Sequence, residues 1–272
     1  MRRIAIFSDI HANVPALDVV LESIGSAGID EHYCLGDLVG YGPDPEGVIV
    51  RVREFGAPTV RGNYDQGVGD RSGACGCYYA TDQAKSDGAA SYEFTEQAVG
   101  DESAAWLLGL LDEARIEERG VRVLLTHGSP RRINEYLMPD RGERQLLRLA
   151  REAEADVVCC GHVHVPYHRS FPDTEFDVPA DGVVPIVHYV NSGSVGKPKD
   201  GDSRAGWIEL LIGTEAEVVD AVPEDEHAAP AGVADTWVGV RFHRVTYDIE
   251  SVVSAMQAVG LPPSLAEALR TA

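Results

Sequence analysis

The chain has 272 residues, 44% apolar and 25% charged, enough to build one α/β domain around a sizeable core. Its formal net charge of -21 argues against a nucleic-acid polymer as an obligate partner, because such binding rests on basic patches, and it disfavours anionic membranes. No apolar run approaches the roughly 18 residues of a spanning helix, and the apolar start ends at Phe7, too short for a secretion signal, so a cytoplasmic protein is expected.

Residues 3–8 read as a buried strand. Residues 14–26 follow as a helix, with Leu17, Val20, Leu21 and Ile24 at helical spacing, Asn13 as cap and Pro15 in the first turn. A second strand ends at Leu35, before Gly36-Asp37. A helix near 45–55 is capped by Asp44 and carries Val48, Val52 and Phe55 on one stripe, and a third strand, Pro58 to Val60, leads into Arg61-Gly62-Asn63. This β-α-β-α-β order predicts parallel strands. Residues 66–80 are Gly-rich and read as a loop, followed by helical material around Trp106, Leu107, Leu110 and Leu111. Strands at Val121–Leu125 and Val157–Cys160 flank a helix over 141–153, with Leu146, Leu149, Ala150 and Ala153 inward. Later strands are expected near 186–190, 206–212, 215–221 and 238–246, the last three paired antiparallel. An exposed acidic loop is expected near 223–236. The C-terminal strand and helices span 238–270, within a single domain covering 1–272.

The five cysteines form no metal-binding or disulfide framework, so reduced thiols are the default reading. Cys75 and Cys77 share a loop where they could touch a metal, although thiolate sites normally recruit more sulfur. Only Lys85, Lys197 and Lys199 are lysines; excess carboxylate with scarce lysine fits a salty cytoplasm or a genome-wide compositional bias.

Five predicted strands end in Asp, His or Asn: Asp9-Ile10-His11, Gly36-Asp37, Gly62-Asn63-Tyr64-Asp65, His127-Gly128, and Gly161-His162-Val163-His164. Strands of an open parallel sheet present their carboxyl ends along one edge, where ligands bind, so seven potential metal ligands converge. Carboxylates, imidazoles and an amide suit divalent ions without thiolate, and Asp37 can bridge two of them. Paired cations bind a bridging hydroxide and clamp phosphate oxygens during in-line displacement. The neighbouring glycines are expected to let the backbone turn sharply beside the ions. Any one of these residues alone reads equally well as a cap or a satisfied polar group; the ordered set does not.

That set resembles the calcineurin-like metallophosphoesterase superfamily, and within it the small YfcE-like bacterial and archaeal phosphodiesterases. The segment Asn191-Ser192-Gly193-Ser194-Val195-Gly196 is similar to that branch's Asn-Pro-Gly-Ser signature. The resemblance implies that Asp9, His11 and His164 hold one metal, that Asn63, His127 and His162 hold the other, and that Asp37 bridges them. It also implies two mixed β-sheets packed as a sandwich with helices outside. Mn²⁺ is the expected occupant, with Fe, Zn or Ni as alternatives.

Many members carry His where this chain has Tyr64, beside Asp65. A phenol of ordinary pKa near 10 is a poorer proton donor than imidazolium, so leaving groups that need little protonation are expected. Arg61, Arg131 and Arg132 are candidate phosphate contacts. Tyr41 either walls the pocket or packs. His168 and His188 read as structural, and His32 and His243 carry no signal. The expected activity is hydrolysis of small phosphodiesters, nucleotides or dinucleoside polyphosphates. Arg61-Gly62-Asn63 also resembles Ser/Thr protein phosphatases, and the fold also serves as a non-catalytic scaffold in a retromer subunit.

Overall fold

The computed structural model of the chain describes residues 1–174, 184–233 and 235–272. Two five-stranded sheets face each other. The first runs β2-β1-β8-β10-β9, from Glu31–Cys34, Arg2–Phe7, Ala205–Thr214, Thr236–Val245 and Ala228–Pro230. The second runs β3-β4-β5-β7-β6, from Ala114–Glu118, Val121–Leu125, Val157–Cys160, Ile186–Asn191 and Tyr167–Pro172. Both are mixed: β1 pairs parallel with β2 and antiparallel with β8, while β5 pairs parallel with both β4 and β7. This is the two-sheet sandwich flanked by helices that the resemblance implies.

Strand alternation explains why these segments read as unbroken apolar runs. On β1, Ile4 and Ile6 face the inter-sheet core with Val123, Leu125, Val157, Cys159 and Leu210. Ala5 and Phe7 point the other way, into a layer with Leu17 and Val20 of α1 (Val14–Ser26) and Val48 and Val52 of α2 (Pro45–Phe55). On the far side, Leu124, Val158 and Cys160 pack against Leu146, Leu149 and Ala150 of α6 (Glu143–Glu152). Both faces of both sheets are therefore covered. Full burial of each such side chain contributes roughly 1.5–3 kcal/mol.

Local chemistry sets the helix starts. Asn13 Oδ1 accepts from Ala16 N at 3.1 Å and Asp44 Oδ1 accepts from Gly47 N at 2.8 Å.

Several expectations change. The strands bearing the motifs do not share one parallel sheet; β1 and β2 belong to one sheet, β4 and β5 to the other. Residues 58–60 make only single bridges, Thr59 to Cys34 and Val60 to Leu111, because the chain crosses the β2 edge briefly before turning at Gly62. The loop expected from 66 begins inside α3 (Asn63–Gly69). Residues 215–221 form helix α7, not a strand. Thr214 Oγ1 accepts from Glu217 N at 3.4 Å while Glu217 Oε2 accepts from Thr214 N at 2.8 Å, a capping box that outweighs the local β propensity. Within 223–236 the short strand β9 pairs with β10; Ala234 lies outside the described residues. The hairpin partner β3 and the edge strand β6 carry alternating or mixed patterns that the sequence reading passed over.

Cys75 and Cys77 are joined by a disulfide, whereas reduced thiols were expected. Cys34, Cys159 and Cys160 are free and buried.

Candidate metal centre

The ends of β1, β2, β4 and β5 open onto one buried cluster at the rim shared by the two sheets. Asp9, His11, Asp37, Asn63, His127, His162 and His164 are all buried there. Five of them, Asp9, His11, Asp37, His162 and His164, adopt φ between 50° and 65°. Such left-handed backbone costs a residue with a side chain about 1–3 kcal/mol and persists only where the surroundings enforce it. Here the enforcement is visible: Asp9 N donates to Gly36 O, and Ile10 N and His11 N both donate to Asp37 O. The glycines serve mainly close approach. A Cβ at Gly62 would collide with the Asp37 backbone and carboxylate, and one at Gly161 with Ser8 and the Asp9 carboxylate. Among the glycines of these motifs only Gly36 turns the chain through positive φ, so the expected sharp turns fall largely on the ligand residues themselves.

The donor atoms form two groups, Asp9–His11–His164 and Asp37–His127–His162, each with its ligand atoms within 4.8 Å of one another. In the first, His11 Nδ1 donates to Val39 O at 3.0 Å and His164 Nδ1 to Lys197 O at 2.5 Å. With those protons placed on Nδ1, two unprotonated Nε2 atoms face each other at 3.1 Å. Two lone pairs at that separation repel unless a cation lies between them and Asp9 Oδ1, which is 3.2 Å from His164 Nε2 and has no hydrogen-bond partner. In the second group His127 Nδ1 donates to Leu35 O at 2.7 Å, Nε2 lies 3.0 Å from Asn63 Oδ1, and buried His162 Nε2 is again unpartnered. These donors fit a pair of divalent cations.

Asp37 stands between the groups. Its Oδ2 is 3.8 Å from His11 Nε2, and its Oδ1 is 3.5 Å from His127 Nε2. Burial opposes its charge, but His127 above all, then His11 and His162, hold the carboxyl well below the usual range. Burial pushes His11 and His162 down to about 3, with His164 and His127 respectively adding to the effect. Burial, Lys199 and Lys197 also lower His164. These three imidazoles are neutral at pH 7, the form that binds metal.

The remaining expected site residues take different positions. Asn63 Nδ2 donates to Cys75 O at 3.0 Å and to Cys77 Sγ at 3.2 Å, which turns Oδ1 toward His127. Asp65 accepts from Leu38 N and Gly62 N, both at 2.9 Å, and braces the loops beneath the ligands. Tyr64 donates its backbone N–H to Asp37 Oδ1 at 2.9 Å, but its side chain is fully buried among Tyr41, His11 and Tyr92. Its hydroxyl stands beside the phenols of Tyr41 and Tyr79 without a well-formed hydrogen bond. Arg61 is turned away to Asp112 and Leu108 O, Arg131 pairs with Glu135 at 2.6 Å, and Arg132 is exposed. Tyr41 packs edge-on to His11, ring centroids 4.9 Å apart. His168 and His188 bond each other at 2.9 Å. The reading overlooked Tyr136, whose ring lies 4.0 Å from that of His162, and the Cys75–Cys77 loop that orients Asn63. For the loop, two cysteines close behind a ligand were the available signal.

The family model described as "Calcineurin-like phosphoesterase superfamily domain" matches residues 1–210. The chain belongs to this superfamily. It is 31% identical over 212 residues to "Uncharacterized protein MJ0912" from Methanocaldococcus jannaschii, covering 75% of this chain and 80% of that one. A metallophosphoesterase structure from Sphaerobacter thermophilus is similar at 27% identity and TM-score 0.68, with 99% and 98% of the two chains covered. The hypothetical protein PH1004 from Pyrococcus horikoshii shares the fold at 20% identity and TM-score 0.71, over 99% and 98%. In this phosphoesterase the Asn191–Gly196 segment laces the centre together. Asn191 Nδ2 donates to Gly161 O at 2.6 Å, Ser194 Oγ to Asp9 O at 2.7 Å, and Gly196 N to Asp9 O at 3.0 Å.

Proposed function

We propose that the chain is a two-metal phosphodiesterase acting on small phosphodiesters, nucleotides or dinucleoside polyphosphates. The observation that carries this reading is the Asp37 carboxylate, with one oxygen toward each ligand group. Asp9, His11 and His164 would hold one cation, Asn63, His127 and His162 the other, and Asp37 both. Mn²⁺ suits carboxylate and imidazole donors. Such a pair supplies Lewis-acid polarisation of a phosphoryl group and a nucleophilic water at neutral pH. The protein's own contribution is orientation: backbone carbonyls of Val39, Lys197 and Leu35 fix three imidazoles, and Cys75 fixes the Asn63 amide. With Tyr64 buried, its phenol does not take the place of the acid histidine common in the family, which favours leaving groups of low pKa. Completeness of the ligand set argues against a non-catalytic scaffold. The charge of -21 supports a reading with no obligate nucleic-acid polymer as partner. A cytoplasmic location rests on the unpaired Cys34, Cys159 and Cys160, with the Cys75–Cys77 disulfide standing against it.

The test is metal analysis with bis(p-nitrophenyl) phosphate hydrolysis, on wild type and Asp37→Asn. Wild type is expected to retain two equivalents of Mn²⁺, and the variant to lose activity by about a hundredfold or more, since even outer ligand supports are worth 10–100-fold. Equal activity in both proteins would remove the mechanism.

A further inference from the structure

Most arginines of this acidic chain are neutralised by carboxylates, including Arg61 and Arg131, two of the three candidate phosphate contacts. Lys197 and Lys199 are not. Among the described residues no carboxylate lies within ion-pair distance of either, although Asp and Glu outnumber Lys and Arg by 44 to 23. Two of the chain's three lysines thus stand together, directly after the signature-like segment.

Their placement is built. Lys197 N donates to Ser194 Oγ at 2.8 Å, its carbonyl receives His164 Nδ1, and its ammonium lies 4.7 Å above the Tyr41 ring, which itself packs on His11. Lys199 N donates to His164 O at 3.2 Å. Lys197 is half-buried and Lys199 exposed. The bonds from His164 Nδ1 to the Lys197 carbonyl and from Lys199 N to the His164 carbonyl place the pair on the Asp9–His11–His164 side of the centre. A lysine ammonium is a point charge with three donors, suited to phosphate oxygens whose positions differ between substrates.

We propose that Lys197 and Lys199 form an anion clamp at the rim of the first ligand group, one that selects polyanionic phosphoanhydride substrates over singly charged diesters. The proposal rests on the phosphodiesterase reading for its substrate, though not for its anion. The clamp adds favourable contacts for each extra phosphate charge, so its value appears in KM and grows with substrate charge.

The experiment compares wild type, Lys197→Gln, Lys199→Gln and the corresponding Arg variants, all loaded with Mn²⁺. Calorimetry with inorganic pyrophosphate is expected to show about a tenfold weaker Kd for each Gln variant, the loss of one charge-assisted contact, with the Arg variants close to wild type. In kinetics, kcat/KM for a dinucleoside polyphosphate is expected to fall about tenfold further than for bis(p-nitrophenyl) phosphate, mainly through KM. Pyrophosphate affinity unchanged in both Gln variants, or equal losses on the two substrates, would overturn the clamp. A wild type that hydrolyses neither substrate, yet binds pyrophosphate in a lysine-dependent way, would sink the hydrolase reading and leave the clamp standing.

Discussion

Asp9 Oδ1 and His162 Nε2 are buried without partners, and two imidazole lone pairs face each other at 3.1 Å. A protein leaves such groups unsatisfied only where something else satisfies them. Tyr64 is different: its hydroxyl is also buried without a well-formed bond, but it points among other phenols rather than toward the ligand cluster. Tyr64→Phe is therefore expected to be neutral or stabilising by up to about 1 kcal/mol in urea denaturation, because it removes an unsatisfied buried group. The variant should also keep the wild-type dependence of rate on leaving-group pKa; a changed dependence would return the phenol to the chemistry. Glu135 illustrates the opposite case. Hydrogen bonding from Arg131 outweighs burial and, with Ser129 and Arg141, brings its carboxyl down to about 2, fixing the turn that follows His127. Its folded pKa lies below the unfolded value near 4.5, so its stabilisation is present above that value and is lost as pH falls through about 2. Glu135→Gln is expected to unfold at lower urea than wild type at pH 6, with the gap closing between pH 4.5 and 2.

At the scale of elements, the legible features were those whose cause is local. Apolar runs bounded by Gly-Asp or Gly-His marked β1, β2, β4 and β5, and Asn13 and Asp44 marked helix starts. The motif ends also disclosed the seven candidate positions that the structure gathers into one buried cluster, because residue type and order carry that information without coordinates. What escaped had non-local causes. Membership of two sheets rather than one depends on β8 pairing with β1 from some 200 residues away, which no window contains. The 215–221 segment reads as a strand by composition, yet Thr214 and Glu217 cap it as α7. Thr214→Ala is expected to cost about 1 kcal/mol in urea denaturation, whereas an unchanged midpoint would mean that Val218 packing alone holds the helix. Residues 58–60 were read as a full strand, but only Thr59 and Val60 find partners. Arg61, singled out as a phosphate contact, illustrates the same limit, since Asp112, the acid that neutralises it, lies 51 residues later in the chain.

On the scale of the whole molecule, two sheets meet along a rim and each supplies three of the seven candidate ligands, with Asn63 added from the start of α3. β1 and β2 bring Asp9, His11 and Asp37; β4 and β5 bring His127, His162 and His164. Neither sheet alone assembles either group, so the centre depends on the inter-sheet core of Ile4, Ile6, Val123 and Val157 holding the rims in register. Anomalous diffraction from crystals grown with saturating Mn²⁺ tests this most directly. Two peaks roughly 3.5–4 Å apart, one on either side of the Asp37 carboxylate, are predicted. A lone peak away from Asp37, or none, would contradict the account.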